Sequence, residues 1–253
     1  MALASKEHGK YVIKLEDVWK IYTMGAVEVP ALRGLNLTIN HGEFVAIMGP
    51  SGSGKSTAMN MIGCLDIPTK GKIMLEGYNI SKLTESELAQ VRGRKIGFIF
   101  QQFNLIPTLS AMENVTLPMI FQSMTKDKRV KRATELLEMV GLADRMDHKP
   151  TELSGGQQQR VAIARAFAND PEVILADEPT GNLDSKTGES VMDFLCGLHI
   201  KEGKTIIMVT HDNHVAQSAE RVEYLKDGMI IGSKKGERHK EACNRVKKNG
   251  NNL

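Results

Sequence analysis

Apolar residues come along this chain in short unbroken runs separated by longer stretches of helical spacing. Phe44–Met48, Ile96–Phe100, Val173–Ala176 and Ile206–Val209 are four such runs. Runs of this length suit strands buried on both faces, as in a parallel sheet. Lys55–Gly63, Glu85–Gly93, Ser154–Ala168 and Ser185–Ile200 lie between them and predict helices. Strand–helix alternation of this kind predicts an α/β fold around a parallel sheet. Each apolar run leads into a residue with chemical potential: Gly49, Gln101, Asp177 with Glu178, and His211. Ligands of doubly wound sheets sit at the carboxyl ends of the strands, so the four runs point to one active edge.

Two stretches depart from this rhythm. Tyr11–Ile39 reads as strand with a turn near Met24-Gly25, and the Asp227-Gly228 pair between two later apolar stretches is a hairpin signal. Residues 102–153 break the alternation. Within them Lys126–Val140 places Val130, Ala133, Leu136, Leu137 and Val140 at helical spacing, with Gly141 where a helix end is expected. This stretch is expected to be a mostly helical lobe inserted into the sheet domain.

Composition changes little in that picture. The chain has 253 residues, 41% hydrophobic and 25% charged, with a net charge of +3, which fits one α/β domain with an inserted lobe. Basic residues concentrate in 233–253, which reads as a solvated, poorly ordered tail or, alternatively, as a contact for anionic lipid headgroups. Cys64, Cys196 and Cys243 are odd in number and widely spaced, which argues against a disulfide framework or a zinc site. Cys64 and Cys196 are expected in the core of a protein kept in a reducing compartment. No apolar run reaches the length of a membrane span, so a soluble, cytosolic chain is expected.

The candidate chemistry starts at Gly49-Pro50-Ser51-Gly52-Ser53-Gly54-Lys55-Ser56-Thr57, a full match to the phosphate-loop pattern between a strand and a helix. Its backbone N–H groups and helix start would cradle phosphate oxygens. Lys55 would reach the β- and γ-phosphates, and the Ser56 hydroxyl would ligate Mg²⁺. Asp177 and Glu178 close the run Val173–Ala176, either as a solvated strand end or as a metal carboxylate followed by the group that polarises water. Ser154-Gly155-Gly156-Gln157 fits a capping box. A cap does not require two glycines, and bare backbone at a helix start suits a second phosphate contact, supplied by another subunit. The pair His211 and His214, three residues apart, lacks a third ligand nearby and is not read as a metal site.

With these motifs in order, the chain resembles the ABC (ATP-binding cassette) ATPases over nearly its whole length. The likeness is closest to their lipoprotein-release and macrolide-export branch, through Ile47–Thr57, Gly63–Asp66, Gly97–Pro107, Leu153–Ala166 and Ile174–Ser185. The resemblance implies a P-loop NTPase fold with an N-terminal antiparallel β subdomain, the cassette spanning 11–232 and the helical subdomain about 102–168. It implies an ATPase using ATP and Mg²⁺. Glu178, His211 and Gln101 would be catalytic, and Ser56, Gln101 and Asp177 would hold the metal. Tyr22 would stack on adenine beside the phosphate loop Gly49–Thr57, and Ser154–Gln157 would be the signature. Asp184 would belong to the D-loop, where Asn182 replaces a commoner alanine, a change expected to matter little. The implied partners are a second copy of the chain and an integral membrane permease, with no nucleic acid, at the cytoplasmic face of the membrane. The apolar residues in Phe103–Leu109 and Leu117–Phe121 are candidates for docking that permease. The alternative is an ATPase of the cell-division type that transmits force without transport.

Overall fold

The computed structural model describes residues 11–248; residues 1–10 and 249–253, the end of the basic tail, lie outside the described residues. Two long strands open the chain, β1 (Tyr11–Met24) and β2 (Val27–Asn40), joined by a turn in which Gly25 has φ 64°. Then come β3 (Phe44–Met48), α1 (Lys55–Ile62), β4 (Lys70–Leu75), β5 (Tyr78–Asn79), α2 (Glu85–Lys95) and β6 (Ile96–Ile99). Next are α3 (Ala111–Ile120), α4 (Lys126–Met139), α5 (Gly155–Ala166), β7 (Val173–Asp177), α6 (Ser185–Glu202) and β8 (Thr205–Thr210). The chain continues with α7 (Asn213–Ala216), β9 (Arg221–Lys226), β10 (Met229–Lys235) and α8 (His239–Lys248).

The strands form two sheets, an antiparallel one ordered β2-β1-β4-β5 and a six-stranded one ordered β10-β9-β3-β8-β7-β6. In the larger sheet β9, β3, β8, β7 and β6 run parallel, and β10 pairs antiparallel with β9 at the edge. Asp227 and Gly228, both at positive φ, make the tight turn between β9 and β10.

The short apolar runs become these parallel strands because both their faces are covered. Phe44, Ala46, Ile174, Ala176, Ile206 and Met208 point into a core shared with α3, α4, α5 and α6. Their neighbours Val45, Ile47, Val173, Leu175, Ile207 and Val209 point the other way, into a core shared with the antiparallel sheet, α1 and Leu88 of α2. Full burial of one such aliphatic side chain is worth about 1.5–3 kcal/mol, so β3, β7 and β8 cannot slip by one residue without a large loss. Register then aligns the strand ends: Met48 faces Thr210 and Asp177 faces Val209, which brings Gly49, Asp177 and His211 to one edge.

Cys64 and Cys196 are buried, and burial pushes the Cys64 thiol up to about 12. The terminus departs from the expected solvated tail. Residues Ser233–Lys235 complete β10, and His239–Lys248 form a helix that packs along α6, with Ala242 buried and Arg245 paired to Asp193 at 3.0 Å. Among the described residues no helix is long and apolar enough to cross a membrane.

Candidate nucleotide-binding site

The loop after β3 turns back on itself and starts α1. Gly54 is the residue before the helix, at φ 99°, a conformation that side chains other than glycine's adopt at a cost. Gly49 is confined instead by space: a Cβ there would lie 2.2 Å from Leu225 O and 2.6 Å from Ser53 Oγ. Lys55 is 8% exposed and folds back over the loop, its ammonium donating to Gly49 O at 2.9 Å and Pro50 O at 2.8 Å. Ser53 Oγ is buried with no hydrogen-bond partner among the described residues, and Ser56 lies exposed at the start of α1. An orphaned hydroxyl, a lysine turned into the loop and a tight glycine-lined backbone suit a ligand rich in anionic oxygen.

At the end of β7, burial first and the neighbouring Glu178 second push the Asp177 carboxyl up, while Lys55 pulls it down. Glu178 sits at φ 44°, unusual for a residue with a side chain. Its N–H donates to Val209 O at 2.9 Å, and its carbonyl accepts from Gly181 N at 3.0 Å. The backbone is thereby held against β8 while the side chain turns to His211, whose Nδ1–H donates to Glu178 Oε1 at 2.6 Å. Crowded carboxylates at a strand end and a hydroxyl at a helix start are hard oxygen donors, the set that Mg²⁺ takes.

Gln101 turns its side chain to the loop after β7. Its side-chain amide donates to Asn182 Oδ1 at 3.5 Å, and Asn182 Nδ2 donates to Gln101 O at 2.9 Å. Asn182 therefore ties the segment after β6 to the loop after β7, a contact that alanine could not make. The expectation that the substitution matters little did not include this contact. Asn182→Ala is expected to lower turnover about five-fold, the equivalent of roughly 1 kcal/mol for an exposed pair of hydrogen bonds, with fold stability unchanged. Steady-state ATPase kinetics beside thermal unfolding check this.

Ser154 caps α5 as expected, accepting from Gln157 N at 3.3 Å while Gln157 Oε1 accepts from Ser154 N at 2.9 Å. Gly156 has a reason inside the chain that spacing did not reveal: a Cβ there would lie 2.5 Å from Thr187 Cγ2. Gly155 has room, its nearest neighbours being Leu183 and Phe103 at 3.7 and 3.8 Å. Asp184 caps α6 through Thr187, whose hydroxyl and N–H hold its carboxyl below the usual carboxylate range. Tyr22 is 36% exposed on β1, with its hydroxyl donating to Asp66 Oδ2 at 3.1 Å.

Two supporting residues were hidden in the sequence. Gln159, fully buried on α5, donates to Pro179 O at 2.7 Å, joining the capped helix to the residue after Glu178. Its signal, a polar residue on an apolar helix face, was masked by Gln157 and Gln158 beside it. Arg165, also on α5, donates to Phe103 O at 2.8 Å and to Asn104 O, at two residues of positive φ just after Gln101.

A phosphate loop between a buried strand and a helix, with an acidic pair at a neighbouring strand end on the same edge, defines a P-loop nucleoside triphosphatase. The ABC transporter family matches residues 32–181, and the chain belongs to that family. It is 56% identical to an ABC transporter ATP-binding protein of Thermotoga maritima over 88% of this chain and 95% of that one. It is 52% identical to the macrolide export ATP-binding/permease protein MacB of Brucella melitensis over 88% of this chain and 34% of that protein. A dimeric structure of the ATP-binding cassette MJ0796, in a post-hydrolysis state bound to ADP and Pi, superimposes with a TM-score of 0.81 at 54% identity, covering 88% of this chain and 98% of that one.

Proposed function

We propose that this chain is the ATP-hydrolysing subunit of an exporter, working as a homodimer that closes on ATP against a separate membrane permease at the inner face of the membrane. The observation that carries the reading is the division of the site. The phosphate loop, Asp177, Glu178 and His211 meet at one sheet edge, whereas the cap Ser154–Gln157 lies at the start of α5, where Gly156 packs on Thr187 of α6, and leaves Ser154 and Gly155 exposed. A second copy placed head to tail would bring that exposed helix start over the triphosphate held by the first. MJ0796 is described as dimeric with ADP and Pi, which supports this arrangement.

In this reading Gly49–Gly54 and Thr57 surround the phosphates, Lys55 leaves its carbonyls for the β- and γ-phosphate oxygens, and Tyr22 receives the base. Ser56, Asp177 and Gln101 hold Mg²⁺, which when bound offsets phosphate charge. Glu178 takes a proton from the attacking water, and His211 orients the Glu178 carboxylate and meets the γ-phosphate. Asp184 and Asn182 pass the state of one site to the other copy. The permease would dock on the helical lobe. A groove of about 700 Å³ there is lined by Phe98, Phe100, Leu117, Pro118 and Phe121, and Phe121 is 78% exposed. The likeness to MacB favours export as the direction.

The test is the solution mass of Glu178→Gln with ATP and Mg²⁺ and, separately, with ADP. A dimer with ATP and a monomer with ADP is the expected result. A monomer in both, with ATP shown to be bound, would reduce the protein to a P-loop ATPase that does not close on a second copy.

A further inference from the structure

Far from the nucleotide loop, three side chains that no step above uses converge at the C-terminal helix. His199 lies in the last turns of α6 and is 8% exposed, Glu220 precedes β9, and His239 opens α8. One ligand atom from each lies within 4.8 Å of the others. We propose that His199, Glu220 and His239 form a site for a divalent cation of the zinc class, which fastens α8 to the sheet domain.

The hydrogen bonds around the cluster orient all three groups. His199 Nδ1 is 3.2 Å from Lys204 O, and His239 Nδ1 is 3.0 Å from Ser218 O. A carbonyl only accepts, so Nδ1 of each ring donates there, and Nε2, the nitrogen that would ligate a cation, turns the other way. Both Nε2 atoms face the same oxygen, Glu220 Oε1, at 3.6 and 3.7 Å. Glu220 Oε2 is held separately, accepting from Phe44 N at 3.2 Å, while the Glu220 N–H donates to Phe44 O at 2.9 Å. The carboxylate is thus anchored to the first residue of β3 with its other oxygen turned to the histidines.

The two histidine–glutamate separations are near those of ligands around a small tetrahedral cation, and the third separation is within 4.8 Å. Donors about 2.1 Å from such a centre sit roughly 3.4 Å from one another, whereas 3.6–3.7 Å is too long for a good hydrogen bond. Histidines that give their second N–H to a backbone carbonyl are the usual companions of a bound metal, because that bond fixes the tautomer and the ring plane. The buried Phe44 ring lies 5.8 Å from the His199 ring and 6.5 Å from the His239 ring, walling the cluster on one side. Two imidazoles and one carboxylate suit Zn²⁺ over Mg²⁺, and the fourth position is left to water. The three ligands come from α6, the approach to β9 and α8, so the ion would close a loop of forty residues and fix the terminal helix.

The experiment uses the full chain, freed of metal with a chelator and without nucleotide, titrated with Zn²⁺ in competition with a chromogenic chelator and followed by thermal unfolding. One Zn²⁺ per chain and a raised unfolding temperature are expected. His239→Ala and Glu220→Gln, both on partly exposed positions, should each weaken Zn²⁺ at least about ten-fold. Co²⁺ should give the visible absorption of a four-coordinate site in the wild type only. His211→Ala should bind Zn²⁺ as the wild type does. Substoichiometric Zn²⁺, or undiminished affinity in both ligand variants, overturns the proposal. So does an unfolding temperature that responds to pH through these histidines and not to Zn²⁺, since the cluster would then be a proton-linked ion pair.

Discussion

Glu178→Gln should cut ATP turnover about 10²–10⁴-fold, the range a positioned general base supplies. The substitution keeps nearly every contact of the residue. Its backbone stays pinned by Val209 O and Gly181 N, and an amide oxygen still accepts from His211 Nδ1 as the carboxylate does at 2.6 Å. The amide cannot take a proton from water, so the loss falls on the chemical step. Binding should hold or improve, because Glu178 is the second cause of the upward shift at Asp177, and removing its charge makes that carboxyl easier to ionise. The expected pattern is a collapsed kcat with the Kd for ATP within about three-fold, which marks an interaction made only in the transition state. Single-turnover hydrolysis beside equilibrium ATP binding separates the two. A variant that keeps more than about a tenth of wild-type turnover would remove Glu178 from the base role. His211→Ala would then become the more informative variant, since it leaves the carboxylate present but unoriented.

What was legible in the chain and what was not follows from how far apart the interacting residues lie. Strands β3, β7 and β8 were plain because burial on both faces leaves no polar position within the run, and their ends carried Gly49, Asp177 and His211 to a common edge. The cap at Ser154 was plain because its two bonds span only three residues. The contact of Asn182 left no sequence signal because its partner Gln101 lies 81 residues away, and a loop asparagine ordinarily reads as solvent-facing. The spacing around Gly156 points to phosphate alone because Thr187, which fills the space of its missing side chain, lies beyond β7 at the start of α6. The terminus was misjudged on charge: α8 is strongly basic, yet Ala242 and the pairing of Arg245 with Asp193 give it one face on α6. The cluster at His199, Glu220 and His239 leaves no pattern, since cysteine spacing and closely spaced histidines are the signals of a metal site in sequence and these ligands sit on three separate elements.

Lys55→Ala should raise the Kd for ATP about 10- to 100-fold, the loss of one or two charge-assisted hydrogen bonds of roughly 1.5–3 kcal/mol. The structure adds a second consequence. Lys55 is the group that holds the Asp177 carboxyl down against burial and against Glu178. Without the ammonium both remaining causes act upward, so Asp177 stays protonated to higher pH. An ionised Asp177 is what a metal ligand requires. As pH falls, Mg²⁺-dependent ATP binding should therefore fail at higher pH in the variant than in the wild type. Adding Glu178→Gln should move that limb back down, because it takes away one of the two upward causes. The loop itself should survive, since Gly228 N still donates to Ser53 O at 2.9 Å and Ser53 N to Pro50 O at 3.2 Å, although the carbonyls of Gly49 and Pro50 lose their donor. ATP titrations across pH in the single and double variants measure both effects. If the acidic limb of Lys55→Ala coincides with that of the wild type, Lys55 acts on phosphate alone and its coupling to Asp177 plays no part in holding the metal.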